Sequence, residues 1–258
     1  MAVSEQRENL LSGVALTSSY SVSRQRLLKG MTYLSIILSG LALLMIFAYA
    51  RPETIQGNAQ KLFYVHLGAF FGAFVLFGAA VVAGIQYLRL RQNRWDILGY
   101  AAIEVGLIFS LVNIVTGAIW ARPIWGTWWT WDPRLTTITI MWLTYAAYMM
   151  LRAGIEDPER RKRFAAVYAI LAFTSVLLTV IIIRVRPDTI HPVAAGPSLA
   201  SDSAEGEFDM APRVVQTLLF SIFVSIFLAI TLTWHRIRLE NRAEQIEARK
   251  AALLTKEI

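Results

Sequence analysis

The 258-residue sequence contains no cysteine, only three histidines and few charged residues. Without cysteine, the chain cannot form a disulfide scaffold, thiolate metal sites, iron–sulfur clusters or a dithiol redox pair. Charged residues make up 17% and hydrophobic residues 56% of the chain, against roughly 25% and 45–50% in ordinary soluble proteins. This balance excludes intrinsic disorder and collagen-like fibres, and it indicates an integral membrane protein if the apolar residues lie in long runs.

Apolar residues do form long runs, and each is long enough to cross the hydrocarbon core of a membrane as a helix. The alternating ten-residue segments typical of transmembrane strands are absent. The sequence therefore predicts an all-α integral membrane protein, a six-transmembrane-helix bundle. Its predicted spans are Met31–Ala50, Leu62–Leu88, Ile97–Ile119, Leu135–Leu151, Phe164–Ile183 and Val214–Trp234.

The basic residues between the spans predict the orientation of the bundle. The two tails and the connections 89–96 and 152–163 carry 18 Lys and Arg, whereas the connections 51–61, 120–134 and 184–213 carry 7. The excess of positive charge predicts that both termini are cytoplasmic. We expect a cytoplasmic tail at 1–28, a six-span domain at 29–235 and a second cytoplasmic tail at 236–258. The net charge of +7 follows from this topology and from attraction to anionic membrane lipid, so no nucleic-acid partner is expected.

Five of the eight tryptophans fall within twelve residues of the connection 120–136. An aromatic belt at the lipid headgroups places roughly one or two tryptophans at a helix end, so a belt alone does not explain five. The cluster instead predicts an apolar platform that binds a large flat ligand. Asp132 and Arg134 stand at its edge, as a structural ion pair or with Arg134 meeting a ligand carboxylate. The tryptophans are Trp120, Trp125, Trp128, Trp129 and Trp131.

Two of the three histidines are predicted on the same side of the membrane as these tryptophans. His66 lies near the outer end of the second span, and His191 lies in the third outer connection. A lone histidine is more often a hydrogen-bonded or exposed residue, but two that flank an aromatic platform match the axial ligands of a haem iron. His235 is predicted to be an interfacial residue at the cytoplasmic end. Glu104, an acid within a span, is predicted to have a structural role, either snorkelling to the interface or pairing with a neighbouring helix.

The tryptophan cluster carries a family resemblance. Residues 125–136, Trp-Gly-Thr-Trp-Trp-Thr-Trp-Asp-Pro-Arg-Leu-Thr, resemble the WWD signature of haem-handling proteins in cytochrome c biogenesis. Residues 63–66, Phe-Tyr-Val-His, and 189–191, Thr-Ile-His, are similar to the segments that carry the two haem-ligand histidines. Related haem lyases and fused synthetases are much longer and have additional histidines. The short chain therefore resembles the haem exporter protein C (CcmC) family, over about residues 30–235.

This resemblance implies a function and a set of site residues. The protein is expected to bind haem b at the extracytoplasmic face of the inner membrane and to deliver it to the haem chaperone CcmE, without being an enzyme. His66 and His191 are the implied iron ligands. The implied porphyrin-binding residues are the five tryptophans, Asp132, Arg134 and Lys61, with Lys61 as a point charge for a propionate.

The resemblance also implies partners, and it leaves alternatives open. The expected partners are the ABC-type subunits CcmA and CcmB and the small membrane protein CcmD. One alternative is a membrane electron-transfer subunit that keeps haem as a permanent redox cofactor. Another is a structural anchor subunit whose tryptophans only pack at an interface.

Overall fold

The computed structural model describes residues 2–51, 57–186 and 211–254, with side chains from residue 23 onwards except at 183, 248–249 and 251–252. The regular structure of these ranges is helical, which confirms the predicted all-α class. A π-helical turn, Met45–Tyr49, continues the first helix, and a short 3-10 turn, Gly57–Ala59, precedes the second. The long helices are α1 (Ala2–Leu44), α2 (Gln60–Leu90), α3 (Asn93–Trp125), α4 (Pro133–Gly154), α5 (Pro158–Val185) and α6 (Pro212–Leu254).

Five helices of the described ranges are long and apolar enough to cross a membrane. The predicted fourth span lies in α4, whose 22 residues rise about 33 Å. However, α4 contains four threonines and an arginine near each end, which reduce its apolar character. The count of six spans therefore stays a prediction, as does the cytoplasmic position of both termini. The five segments are Ser23–Tyr49, Gly57–Leu90, Asn93–Trp125, Pro158–Ile182 and Pro212–Glu247.

The helices extend beyond the predicted spans at several ends. α1 begins at Ala2, so the predicted N-terminal tail is largely helical. α6 continues to Leu254, because its charged and alanine-rich end is made of good helix formers. α3 continues through Trp125, and Pro123 is accommodated within its last turn. The loop between α3 and α4 is therefore only Gly126–Asp132, shorter than the predicted connection 120–136.

α2 lies at the centre of the bundle. It packs against α3, α5 and α6, while α4 packs against α5 and α1 against α6. In the core, the rings of Phe77 from α2 and Tyr145 from α4 are fully buried and stacked, with 3.8 Å between their centroids. This arrangement brings the start of α2, the end of α3 and the start of α4 to the same end of the bundle.

Charged side chains join the helices at the opposite end. Arg152 of α4 forms two hydrogen bonds with the buried Asp96 of α3, at 2.6 and 2.9 Å. Arg236 of α6 contacts Glu104 of α3 at 2.5 Å, so of its two predicted structural roles this acid has the pairing with another helix. Both guanidinium groups lie over the ring of Tyr100, at 4.6 and 4.8 Å from its centroid. The charges at this end therefore form a connected network between α3, α4 and α6.

Candidate functional site

Local sequence signals fix both ends of the loop between α3 and α4. Gly126 adopts a positive φ of 73° and closes α3, with its N–H donating to the Arg122 carbonyl at 3.1 Å. Glycine adopts this left-handed conformation without steric cost. At the other end, an Asp132 carboxylate oxygen accepts a hydrogen bond from the Leu135 N–H at 2.8 Å, and Pro133 occupies the first turn of α4. Asp132 therefore acts in this structure as the N-cap of α4.

The five predicted platform tryptophans lie in different environments. Trp120 is buried, 6% exposed, and makes an edge-to-face contact with Trp125 at 5.2 Å between ring centroids. Trp129 is half-buried against the core, and it contacts Trp131 edge-to-face at 5.9 Å. Trp128 and Trp131 are 57% and 72% exposed. Burial of the indole rings thus decreases from Trp120 inside the bundle to Trp128 and Trp131 on the loop.

His66 and four of these tryptophans line a common cleft of about 290 Å³ between α2, α3, the loop and the start of α4. An adjoining cleft of about 300 Å³ shares His66 and Trp129, and Arg134 contributes to its wall. The first cleft is lined by His66, Gly117, Ala118, Trp120, Ala121, Trp125, Trp128, Trp129 and Leu135. The second adds Asn113, Ile114, Arg134 and Ile138.

The His66 side chain is held by the facing helix. Its Nδ1 lies 2.9 Å from the backbone carbonyl oxygen of Asn113 in α3. The Asn113 side chain is buried, and its amide nitrogen donates to the His66 carbonyl oxygen at 2.9 Å. An imidazole fixed in this way is a suitable ligand for a metal ion held in the cleft.

Arg134 is buried at the wall of the second cleft. Its guanidinium donates to the carbonyl oxygen of Thr179 in α5, and it lies 5.4 Å from the centroid of the Phe70 ring. The guanidinium has five N–H donors, so the bond to Thr179 occupies only part of its capacity. Arg134 therefore joins α4 to α5 and also presents positive charge beside His66 and Trp129.

Some of the predicted site residues are not found in the walls of the two clefts. The ammonium of Lys61 donates to the side-chain oxygen of Asn58 at 2.9 Å and lies 5.1 Å from the centroid of the Phe47 ring. Within the described ranges, the walls of the two clefts include neither Lys61 nor Trp131. His191 lies outside the described residues, so its pairing with His66 stays a prediction.

Comparison with known proteins decides the family, because residues 11–252 match the family described as Heme exporter protein C. This chain belongs to the heme exporter protein C family. It is 31% identical over 215 residues to the Heme exporter protein C of Paracoccus denitrificans, covering 83% of this chain and 85% of that protein. The Rhodobacter capsulatus protein is 32% identical over 194 residues, covering 74% and 77%. The Escherichia coli K12 protein is 26% identical over 192 residues, covering 74% of each. The predicted resemblance is confirmed.

Sequence reasoning does not single out Asn113 and Gly117, although both lie against His66 in this member of the heme exporter protein C family. One signal for them does exist. Asn113 is an uncharged polar residue within an apolar span, and Gly117 follows it by four residues, on the same face of the helix. That face meets α2, but the pattern of one helix does not indicate which α2 residue it contacts.

Proposed function

We propose that this protein binds haem in the clefts beside the tryptophan-rich loop and delivers it to a CcmE-like haem chaperone for c-type cytochrome maturation. Membership of the heme exporter protein C family supports a role in haem handling, and the long apolar helices support a multi-pass membrane location. The observation that carries the proposal is that His66 shares one cleft with four tryptophans. We place this cleft on the extracytoplasmic side of the inner membrane.

The residues of the cleft match the three chemical parts of haem. The iron takes imidazole as an axial ligand, which His66 supplies and for which we propose His191 as the second. The flat apolar macrocycle suits the indole rings of Trp125, Trp128 and Trp129. A propionate suits Arg134, whose charge-assisted hydrogen bonds are directional. Haem b is the form that noncovalent binding through histidines would take up.

Two further predicted residues have smaller parts in this proposal. Lys61 is engaged with Asn58 and Phe47, so we expect its contribution to haem binding to be small. Asp132 acts indirectly, because its cap on α4 places Arg134 two residues later in the chain.

The position of the site favours delivery over permanent retention. The clefts lie at the end of the bundle, and the adjoining rings of Trp128 and Trp131 are largely exposed. A haem that serves transmembrane electron transfer is usually held between helices inside a bundle. An open, aromatic site suits a ligand that is passed to another protein. We propose CcmA, CcmB and CcmD as the membrane partners in that transfer.

The test compares the three histidines in the purified full-length protein. Haemin is titrated into the wild type and the variants His66→Ala, His191→Ala and His235→Ala, and the absorption spectrum is recorded. We expect the first two variants to bind haemin at least about tenfold more weakly, with an altered spectrum that imidazole partly restores. His235→Ala is the matched control, because its ring lies 2.7 Å from the Thr32 hydroxyl between α1 and α6.

Equal spectra in all three variants would contradict binding through His66 and His191. Delivery is measured separately, by incubating the haem-loaded protein with the purified chaperone and assaying covalent haem on the chaperone. If the haem is never transferred but undergoes reversible reduction in place, a permanent redox cofactor explains the site better.

A further inference from the structure

We propose that α3 positions the His66 imidazole, with the Asn113 carbonyl selecting its tautomer and Gly117 making room for its ring. Nε2 is then the ligand atom presented to iron. That the metal bound by Nε2 is a haem iron rests on the proposed function. The tautomer does not, because it is a property of the protein without haem, and it can be tested alone.

The hydrogen bond between the two helices determines the tautomer. His66 Nδ1 lies 2.9 Å from the Asn113 backbone oxygen. A carbonyl oxygen only accepts, so this hydrogen bond forms when Nδ1 carries the proton, and the lone pair of the neutral ring is then on Nε2. A histidine that binds a metal commonly donates its other N–H to a carbonyl or carboxylate, which orients the ring. The Asn113 carbonyl plays that part for His66.

The Asn113 side chain strengthens the same junction. Its amide nitrogen donates to the His66 carbonyl oxygen at 2.9 Å, so hydrogen bonds run in both directions between these two residues. This nitrogen also lies 3.1 Å from Nδ1 and 3.4 Å from Nε2. Donation to Nδ1 would require the opposite tautomer, with the proton on Nε2. The shorter contacts to the two carbonyl oxygens favour the proton on Nδ1, and the experiment below distinguishes the two states.

Gly117 lies one helical turn beyond Asn113 and directly against the ring. A Cβ atom built on Gly117 would lie 2.8 Å from His66 Cε1 and 3.1 Å from Nδ1. These distances are shorter than van der Waals contacts, so any side chain here would displace the ring. Displacement would break the bond between Nδ1 and the Asn113 carbonyl.

The first measurement needs no haem. The ¹⁵N chemical shifts of the histidine rings report the tautomer of the neutral imidazole in protein labelled at histidine, and His66→Ala identifies the His66 signals. We expect the Nδ1–H tautomer in the wild type and its loss in Gly117→Ala. Gly78→Ala is the matched control, because a Cβ at this α2 glycine meets nothing within 4 Å. A wild-type protein with the proton on Nε2 would overturn the inference, whatever its haem binding.

The second measurement is a haemin titration in a double-mutant cycle. We expect Gly117→Ala to weaken haemin binding about tenfold or more, and Gly78→Ala to change it less than twofold. In the His66→Ala background, Gly117→Ala should have no further effect, because the ring it displaces is gone. An equal loss in both backgrounds would show that Gly117 acts on the fold, and the inference would be wrong.

A second variant covers the case in which Gly117→Ala does not fold. Asn113→Ala keeps the backbone carbonyl, so we expect the Nδ1–H tautomer to persist while haemin binding weakens severalfold. Loss of that tautomer in Asn113→Ala would contradict the role of the carbonyl. If the wild type has the expected tautomer but His66→Ala binds haemin normally, the proposed function fails and the positioning of the ring stands.

Discussion

At one end of the bundle, α3, α4 and α6 are joined by Asp96–Arg152 and Glu104–Arg236 ion pairs around a shared tyrosine ring. At the other end, the ring of Phe63 in α2 lies 6.5 Å from that of Trp120 in α3, and Trp128 and Trp131 of the loop remain largely exposed. Hydrogen-bonded charges fix the relative positions of helices, whereas exposed indoles do little for stability and are available to a ligand. One end of the bundle therefore holds the helices together, and the other end is available to bind a ligand.

The largest change in the free energy of unfolding is expected at the end of the bundle where ion pairs join the helices. Asp96→Ala leaves Arg152 without its carboxylate in a largely buried position, so the free energy of unfolding should fall by about 3–5 kcal/mol. Denaturant unfolding in detergent micelles measures this loss. The matched control is Glu159→Gln, which removes an exposed partner of Lys162 and should leave the free energy of unfolding nearly unchanged, because water screens this pair. A loss as small as the control would mean that the buried pair does not hold the helices.

A smaller change in the free energy of unfolding is expected at the end with the clefts, and it should differ between two neighbouring tryptophans. Trp129 packs against the core, so Trp129→Ala should lower the free energy of unfolding by about 2 kcal/mol and also weaken haemin binding. Trp128 is exposed, so Trp128→Ala should leave unfolding unchanged while weakening haemin binding severalfold. Unfolding and haemin titration are measured on both variants. Equal destabilisation by the two changes would show that the loop packs as one unit.

The smallest effect is expected for the partly exposed ion pair of α3 and α6. Glu104→Gln removes one partner of Arg236, but Arg236 keeps its contact with Glu240 at 2.8 Å. The free energy of unfolding should therefore fall by less than about 1 kcal/mol. Haemin affinity should not change, because this pair lies at the opposite end of the bundle. A clear change in haemin affinity would show that the two ends of the bundle are energetically coupled.

The sequence predicts much of the fold because membrane helices depend on local composition. Long apolar runs locate the helices, and the tryptophan cluster and His66 identify the end that forms the clefts. Helix ends are less predictable: Trp120 and Trp125 belong to α3, because Gly126 and not Pro123 ends the helix. The threonines of α4 likewise make this helix less apolar than the five candidate membrane spans.

Contacts between helices cannot be predicted from the residue pattern of a single sequence. The meeting of His66 with Asn113 and Gly117 depends on the register of α2 against α3, which no local signal specifies. Arg134 is predicted at the edge of a platform, yet its guanidinium reaches the Thr179 carbonyl of α5. Lys61 has the expected position in sequence, but its side chain turns to Asn58 and Phe47. In each case tertiary packing decides where a long or polar side chain lies.

The unequal burial of the tryptophans gives this protein a built-in optical signal. Indole fluorescence shifts to longer wavelength in water, so the exposed Trp128 and Trp131 emit differently from the buried Trp120. A porphyrin quenches nearby indoles by energy transfer. Variants that lack the three tryptophans outside the cluster, Trp95, Trp142 and Trp234, would remove their background. Emission at the blue and red edges of the spectrum would then distinguish the buried Trp120 from the exposed Trp128 and Trp131 without an added label.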